Sequence, residues 1–145
     1  MKALIQRVTT ANVKVDDISV GSIGRGLLVF LAIEKNDNES SIDKLSYKLI
    51  NYRIFPDDEN KMNLNIQEAK GDILIVSQFT LAATTNKGLR PSFSDAADPD
   101  KAFKYYNYFI DKIKAASVSV STGVFGADMK VELINDGPIT FLLSG

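Results

Sequence analysis

The segment Ser77-Gln78-Phe79-Thr80-Leu81 ends an otherwise apolar run with three side chains that form hydrogen bonds. At the carboxyl end of a strand such groups can face a ligand, because the backbone there is no longer consumed by the ladder. Taken alone, the same five residues also read as a strand fraying into a polar loop. A serine or threonine nucleophile would need a base within hydrogen-bond reach, and the chain contains neither histidine nor cysteine. That composition excludes Ser-His-Asp and Cys-His pairs as well as thiolate or imidazole zinc sites. Chemistry must come from hydroxyls, carboxylates, Lys, Arg, backbone dipoles or the substrate itself; no metal and no cofactor is expected.

Three further constellations could build a site. Asn135-Asp136-Gly137-Pro138-Ile139-Thr140 lies between two strand patterns. Asp-Gly is a common hairpin turn, but the proline removes a ladder donor, and an X-Pro bond can be cis at a tight corner. A rigid Gly137-Pro138 corner would hold its carbonyl oxygens at fixed positions, as a stereochemical gauge requires. Arg7 shares a strand face with Ala3 and Ile5; it needs either a partner or an edge position from which its aliphatic stem reaches solvent. In Gly123-Val124-Phe125-Gly126-Ala127-Asp128-Met129, two glycines bracket an aromatic and could let a flat ligand approach the backbone, although Phe125 and Met129 also suit a core. The loop Asn86-Lys87-Gly88-Leu89-Arg90-Pro91-Ser92-Phe93 combines two cations with an aromatic, a mixture found in readers of single-stranded RNA. It reads equally as a solvated loop.

These residues must be held by a framework, and the periodicity supplies one. Residues 2 to 8, then 13 to 15 and 18 to 20, read as strands, with Asp16-Asp17 as a two-residue hairpin. GLLVFLAI (26 to 33) fits a strand buried on both faces. Ser40 and Asp43 resemble a capping box for a first helix whose stripe is Ile42, Leu45, Leu49 and Ile50. After a polar loop from Asp57 to Lys70, GDILIVSQFTL (71 to 81) predicts a second buried strand. Asp98 and Pro99 cap and open a second helix, carrying Phe103, Tyr106, Ile110 and Ile113 and ending near Ala116. Met129, Val131 and Leu133 alternate with Lys130 and Glu132, and a final strand, ITFLL, follows NDGP. The order predicts an α/β fold of mixed β-sheets in layers, with two main helices packed on one side.

At 145 residues, with 45% hydrophobic and 24% charged content, the chain is expected to form one soluble domain spanning 1 to 145. Leu27 to Ile33, its longest apolar stretch, falls well short of the ~20 residues of a membrane helix. MKALIQRVTT has no signal-peptide core, so a cytoplasmic location without membrane contact is expected. A net charge of -1, from 17 basic and 18 acidic residues, gives no global attraction to nucleic acid. Any RNA contact must be local, and no DNA partner is expected.

Taken together, SQFTL at 77 to 81, TGVFGADM at 122 to 129 and NDGPIT at 135 to 140, with the MKALIQRV start and the KGLRPSF loop, resemble the D-aminoacyl-tRNA deacylase family over the full chain. Ile139 stands where valine is also familiar, a minor aliphatic change. The resemblance implies hydrolysis of the ester of D-aminoacyl-tRNA, and of misplaced glycyl-tRNA, by a homodimer. It implies that Gly137-Pro138, with a cis bond and braced by Arg7, enters the partner's site and rejects L-side chains by exclusion. It assigns the terminal adenosine to Phe125 and Met129, and oxyanion stabilisation to the backbone around Phe79 and Thr80, with Ser77 and Gln78 beside them. The adenosine's 2'-hydroxyl would assist water attack, and Lys87 and Arg90 are expected to touch the tRNA. Two alternatives remain at this level: a deacylase with a trans Gly-Pro bond that edits L-aminoacyl-tRNA, and a non-enzymatic dimeric ligand-binding module.

Overall fold

The computed structural model describes residues 1–86 and 88–145. Strand β1 (Lys2–Val15) turns at Asp16 and Asp17 into β2 (Ile18–Ile23), and both aspartates have positive φ, 48° and 63°. Positive φ at both central positions is what a type I′ hairpin demands, so the Asp-Asp signal in the sequence marks a true hairpin. The apolar run that follows is β3 (Gly26–Ala32), nearly all of it buried. It pairs antiparallel with β1 on one edge and parallel with β6 (Asp72–Ser77) on the other. A parallel partner needs a long crossover; here it contains α1 (Glu39–Asn51) and the short antiparallel pair β4 (Phe55–Pro56) and β5 (Met62–Leu64). A second crossover through α2 (Pro99–Ala115) brings β7 (Val120–Thr122) parallel to β6. The last strand, β8 (Lys130–Ser144), runs antiparallel along β1 from Lys2 to Lys14.

The sheet order is β2-β1-β3-β6-β7, with β8 paired to β1. The sheet coils until its ends almost meet: the Ser121 hydroxyl donates to the Ser22 carbonyl at 3.0 Å. Gly21 permits this approach, because a Cβ there would lie 2.4 Å from the carbonyl oxygen of Thr122. The result is a single domain with a mixed, nearly barrel-like sheet and two helices.

Alternation divides the core in two. Ile5, Val29 and Ile75 face the helices and pack with Leu45, Leu49, Phe109 and Ile113. Val13, Leu28, Leu74 and Val76 face the opposite side, where Met129, Val131 and Leu133 partly cover them. Each fully buried Leu, Ile or Phe of this kind contributes roughly 1.5–3 kcal/mol. The helices are joined by an ion pair between Lys112 and Asp43 at 2.8 Å, and none is long and apolar enough to cross a membrane among the described residues.

Several details differ from the sequence reading: 2 to 8 and 13 to 15 belong to one strand, β1, and β5 lies within the polar loop expected from Asp57 to Lys70. The N-cap of α1 is Asn38, not Ser40: its side chain accepts from the Ser41 amide at 3.1 Å, and the Ser41 hydroxyl accepts from the Asn38 amide at 3.5 Å. Strand β6 stops at Ser77, where its partner β3 runs out; Phe79–Ala82 form a single 3-10 turn instead of prolonging the strand. NDGP does not separate two strands. The chain keeps its direction through it, and both flanks pair with β1. Helix α2, by contrast, has the expected Asp98 cap, which accepts from the Lys101 amide at 3.0 Å, with Pro99 in its first turn.

Candidate active site

Where β3 and β6 end, the sheet opens into a cleft of about 540 Å³, within the range of sites for small ligands. One wall is the end of β6 and the turn after it, Val76 to Phe79; the other is the start of α2 together with the segment from Phe125 to Met129. Tyr106 joins the two: its hydroxyl donates to the Ile75 carbonyl at 2.9 Å, and burial pushes its phenol above the ordinary tyrosine range. Phe125 is set by an edge contact with Phe103 and a tilted contact with Tyr106, at centroid separations of 5.3 and 5.5 Å. The cleft therefore presents an apolar, aromatic flank opposite a polar turn.

That turn has unusual free capacity. Gln78 donates its backbone N–H to Leu31, and Leu81 returns one to Gln78. The amides of Phe79 and Thr80 in between donate to no carbonyl or side chain among the described residues. The first N–H groups of any helical turn lack internal partners; here Phe79 lines the cleft and Thr80 follows it on the adjoining turn. The Thr80 hydroxyl accepts from the Gln78 amide side chain at 2.6 Å. No carboxylate or lysine bonds to the Ser77 or Thr80 hydroxyls, and no cluster of potential metal ligands occurs among the described residues. The arrangement can orient a carbonyl and stabilise negative charge on it, but it offers no activated nucleophile.

The corner is built differently. Between the pairs Gln6 with Thr140 and Val8 with Asn135, the single residue Arg7 faces four residues, 136 to 139, which bulge from β8. Arg7 is 8% exposed. Its Nη1 donates to the Ile54 carbonyl at 2.7 Å, and its Nε to the Asp136 carbonyl at 3.1 Å; Nε also lies 3.0 Å from the Asp136 carboxylate. Because β1 is paired along both edges, Arg7 is a central residue with partners and not an edge residue reaching solvent. Asn135 closes the bulge from the other side, accepting from the Ile139 amide at 2.7 Å and donating to the Ile139 carbonyl at 3.2 Å. The Gly137-Pro138 peptide is cis, and Gly137 has φ 142°, open to glycine alone among common residues. Both residues are exposed.

The structure thus brings Ser77, Gln78, Phe79, Phe125 and Met129 into one cleft, with Thr80 on the adjoining turn. Arg7, Gly137 and Pro138 form a separate cluster that does not line this cleft. Arg90 is exposed on the 84 to 96 loop, and Lys87 lies outside the described residues. Sequence reasoning missed Tyr106 as a cleft residue, since a tyrosine on a helical stripe looks like core. It also missed Asp136 as the anion that pairs with Arg7; the requirement of a partner for a cation among apolar neighbours was the available signal.

Comparison with known proteins decides the family. The family described as D-Tyr-tRNA(Tyr) deacylase matches residues 4–144. The chain belongs to this deacylase family. The D-aminoacyl-tRNA deacylase of Haemophilus influenzae (strain PittEE) is 59% identical over 144 residues, covering 99% of both chains. That of Pseudoalteromonas translucida is 54% identical over the same length and coverage. Among solved structures, the c-Myc DNA Unwinding Element Binding Protein superposes on this deacylase with a TM-score of 0.95 at 36% identity, covering 100% of this chain and 99% of that one. A probable eukaryotic D-amino acid tRNA deacylase shares the fold, with a TM-score of 0.85 at 20% identity over 98% of this chain and 97% of that one. As a member of the family, the deacylase is a hydrolase of the aminoacyl-tRNA ester bond.

Proposed function

We propose that this deacylase discriminates handedness with the Gly137-Pro138 corner of one subunit inserted into the cleft of another. The observation that carries the reading is the separation of the two clusters. An exposed corner, tied down by Arg7 and Asn135, stands clear of the cleft of its own chain. A second copy of the chain, arranged with two-fold symmetry, would supply to each cleft the corner it lacks.

In this reading the terminal adenosine lies against Phe125 and Met129, and the ester carbonyl points to the free amides of Phe79 and Thr80. The partner's main-chain carbonyls receive the substrate's amino group and leave no room for an L-side chain. Water adds to the ester carbonyl, the bond to the ribose 3'-oxygen breaks, and that oxygen leaves with a proton; D-amino acid and tRNA are released. The neighbouring 2'-hydroxyl assists the attack, which agrees with the absence of histidine and cysteine. Rate enhancement is then a matter of positioning and oxyanion stabilisation. A gauge that reads only the α-carbon passes glycine, so glycyl-tRNA is also a substrate. Ser77 and Gln78 shape the turn, and Arg90 and Lys87 meet the tRNA backbone. The enzyme acts in the cytoplasm, where its substrate is.

The test is a hydrolysis assay on D- and L-aminoacyl-tRNA run beside sedimentation analysis. Hydrolysis of the D-ester by a dimer supports the reading. Preference for the L-ester would make this an editor of the opposite hand, absence of hydrolysis would leave a ligand-binding module, and an active monomer would eliminate the shared site.

A further inference from the structure

Next to the cleft, Phe79 and Phe93 are 59% and 40% exposed, yet their rings pack against each other with centroids 5.1 Å apart and planes tilted by 56°. Phe79 belongs to the cleft lining and Phe93 does not, so the pair extends the cleft outward onto the surface. The segment 92 to 96, which carries Phe93, is tied down. Thr84 and Ser92 exchange two backbone hydrogen bonds, at 2.8 and 3.1 Å. Asp95 accepts from the Thr84 hydroxyl at 2.9 Å, pairs with the Lys35 ammonium at 3.1 Å, and its carbonyl accepts from the Lys35 amide at 2.9 Å. The Ala96 amide donates to the Phe93 carbonyl at 3.0 Å. The Phe93 ring is thus held against Phe79 by a segment with ordered polar contacts, and Arg90 is exposed nearby in sequence.

From this geometry we infer that the Phe79 and Phe93 rings form a stacking platform for the unpaired nucleotide that precedes the terminal adenosine of the tRNA. The inference rests on the adenosine occupying the cleft, as proposed above. A polynucleotide leaving the cleft past Phe79 meets an aromatic face at once. Every base has a π-face, so stacking holds a strand without reading its sequence. That suits an enzyme whose substrates differ in their bodies but share a single-stranded end. An apolar protein partner would gain nothing from the continuity with the cleft, whereas a strand whose end is bound there can continue over the paired rings.

The inference is tested by the ratio of kcat/KM for D-aminoacyl-tRNA to kcat/KM for the D-aminoacyl ester of adenosine alone. Phe93→Leu keeps an apolar contact with Phe79 but removes the aromatic face; it is expected to lower this ratio by roughly fivefold or more, chiefly through KM for the tRNA. Phe93→Trp should restore it. A ratio unchanged by Phe93→Leu, or a fall shared equally by both substrates, overturns the inference, because the ring would then only shape the turn. Binding of an RNA end with 2-aminopurine before its terminal adenosine gives a readout that needs no hydrolysis. Quenching by the wild type that is lost in Phe93→Leu supports the platform even if the deacylase reading fails, and equal quenching by both proteins overturns it.

Discussion

At residues 77 to 82 the chain leaves hydrogen-bonding capacity unused, whereas at 135 to 140 it spends nearly all of it on itself. The turn after β6 has two amides without a partner among the described residues and an exposed aromatic ring beside a cleft. The bulge in β8 has Arg7 clamped on one flank and Asn135 on the other, and Gly137 and Pro138 are its exposed residues. The first arrangement suits a surface that must bind something; the second suits a surface whose shape must not change. A site that judged handedness by exclusion, as proposed above, would need both, and its selectivity would depend on the stiffer half.

The contrast can be broken most forcefully at Arg7. Arg7→Ala leaves the Ile54 carbonyl and the Asp136 main chain without their donor, and it should cost about 2–4 kcal/mol of stability while loosening rejection of L-esters. Thermal melts together with a D-to-L rate ratio would measure both effects; a stable variant with intact selectivity would show that the clamp is dispensable. Gly137→Ala is more local. Its Cβ would lie 2.6 Å from a side-chain carbon of Ile139 and 2.8 Å from the Ile139 amide nitrogen, so a loss of about 1–3 kcal/mol is expected, again with reduced D-to-L discrimination.

The binding half should tolerate more. Thr80→Ala removes a hydroxyl that among the described residues bonds only to Gln78, and it keeps the backbone amide. Its fall in kcat should stay well short of the roughly 10²–10³ that loss of an oxyanion donor costs. Complete loss of turnover with the fold and binding intact would make the hydroxyl a chemical participant. The smallest effect concerns acid. Burial alone would raise the Glu34 carboxyl, but hydrogen bonds from the Met1 α-amine and Lys2 outweigh it and hold the group below its ordinary 4.5. A lowered carboxyl stabilises the fold above pH 4.5, and that contribution disappears as the pH falls through the folded value. Glu34 is also bridged to Ala96 in the cleft wall. Wild-type Tm should therefore decline more steeply below pH 4.5 than that of Glu34→Gln, as a pH series of melts would reveal.

The framework was legible where local chemistry decides it. The Asp16-Asp17 hairpin, the Asp98 cap of α2 and the buried β3 each follow from neighbours within a few residues. The end of β6 was not legible, because where a strand stops depends on the length of its partner β3. The Asn38 cap escaped because the capping-box pattern fits several polar residues at the start of α1 and only the backbone selects one. At the site, Ser77 to Thr80 and Phe125 to Met129 were visible as motifs, while the convergence of Ser77 to Phe79 with Phe125 to Met129 on one cleft depends on two crossovers that no short window contains. The Asp136-Gly137 pair misled as a hairpin signal: both flanks pair with β1, and so the same dipeptide makes a bulge.

That bulge also sets rules for how the gene can change. It is registered against β1 on either side, by Gln6 with Thr140 and by Val8 with Asn135. An insertion or deletion of one codon within either flank would shift the corner by about 3.3 Å along the strand and exchange the inward and outward faces of everything beyond it. Length variation in descendants of this chain should collect in connections such as 57 to 61, between β4 and β5, and be purged from 130 to 144.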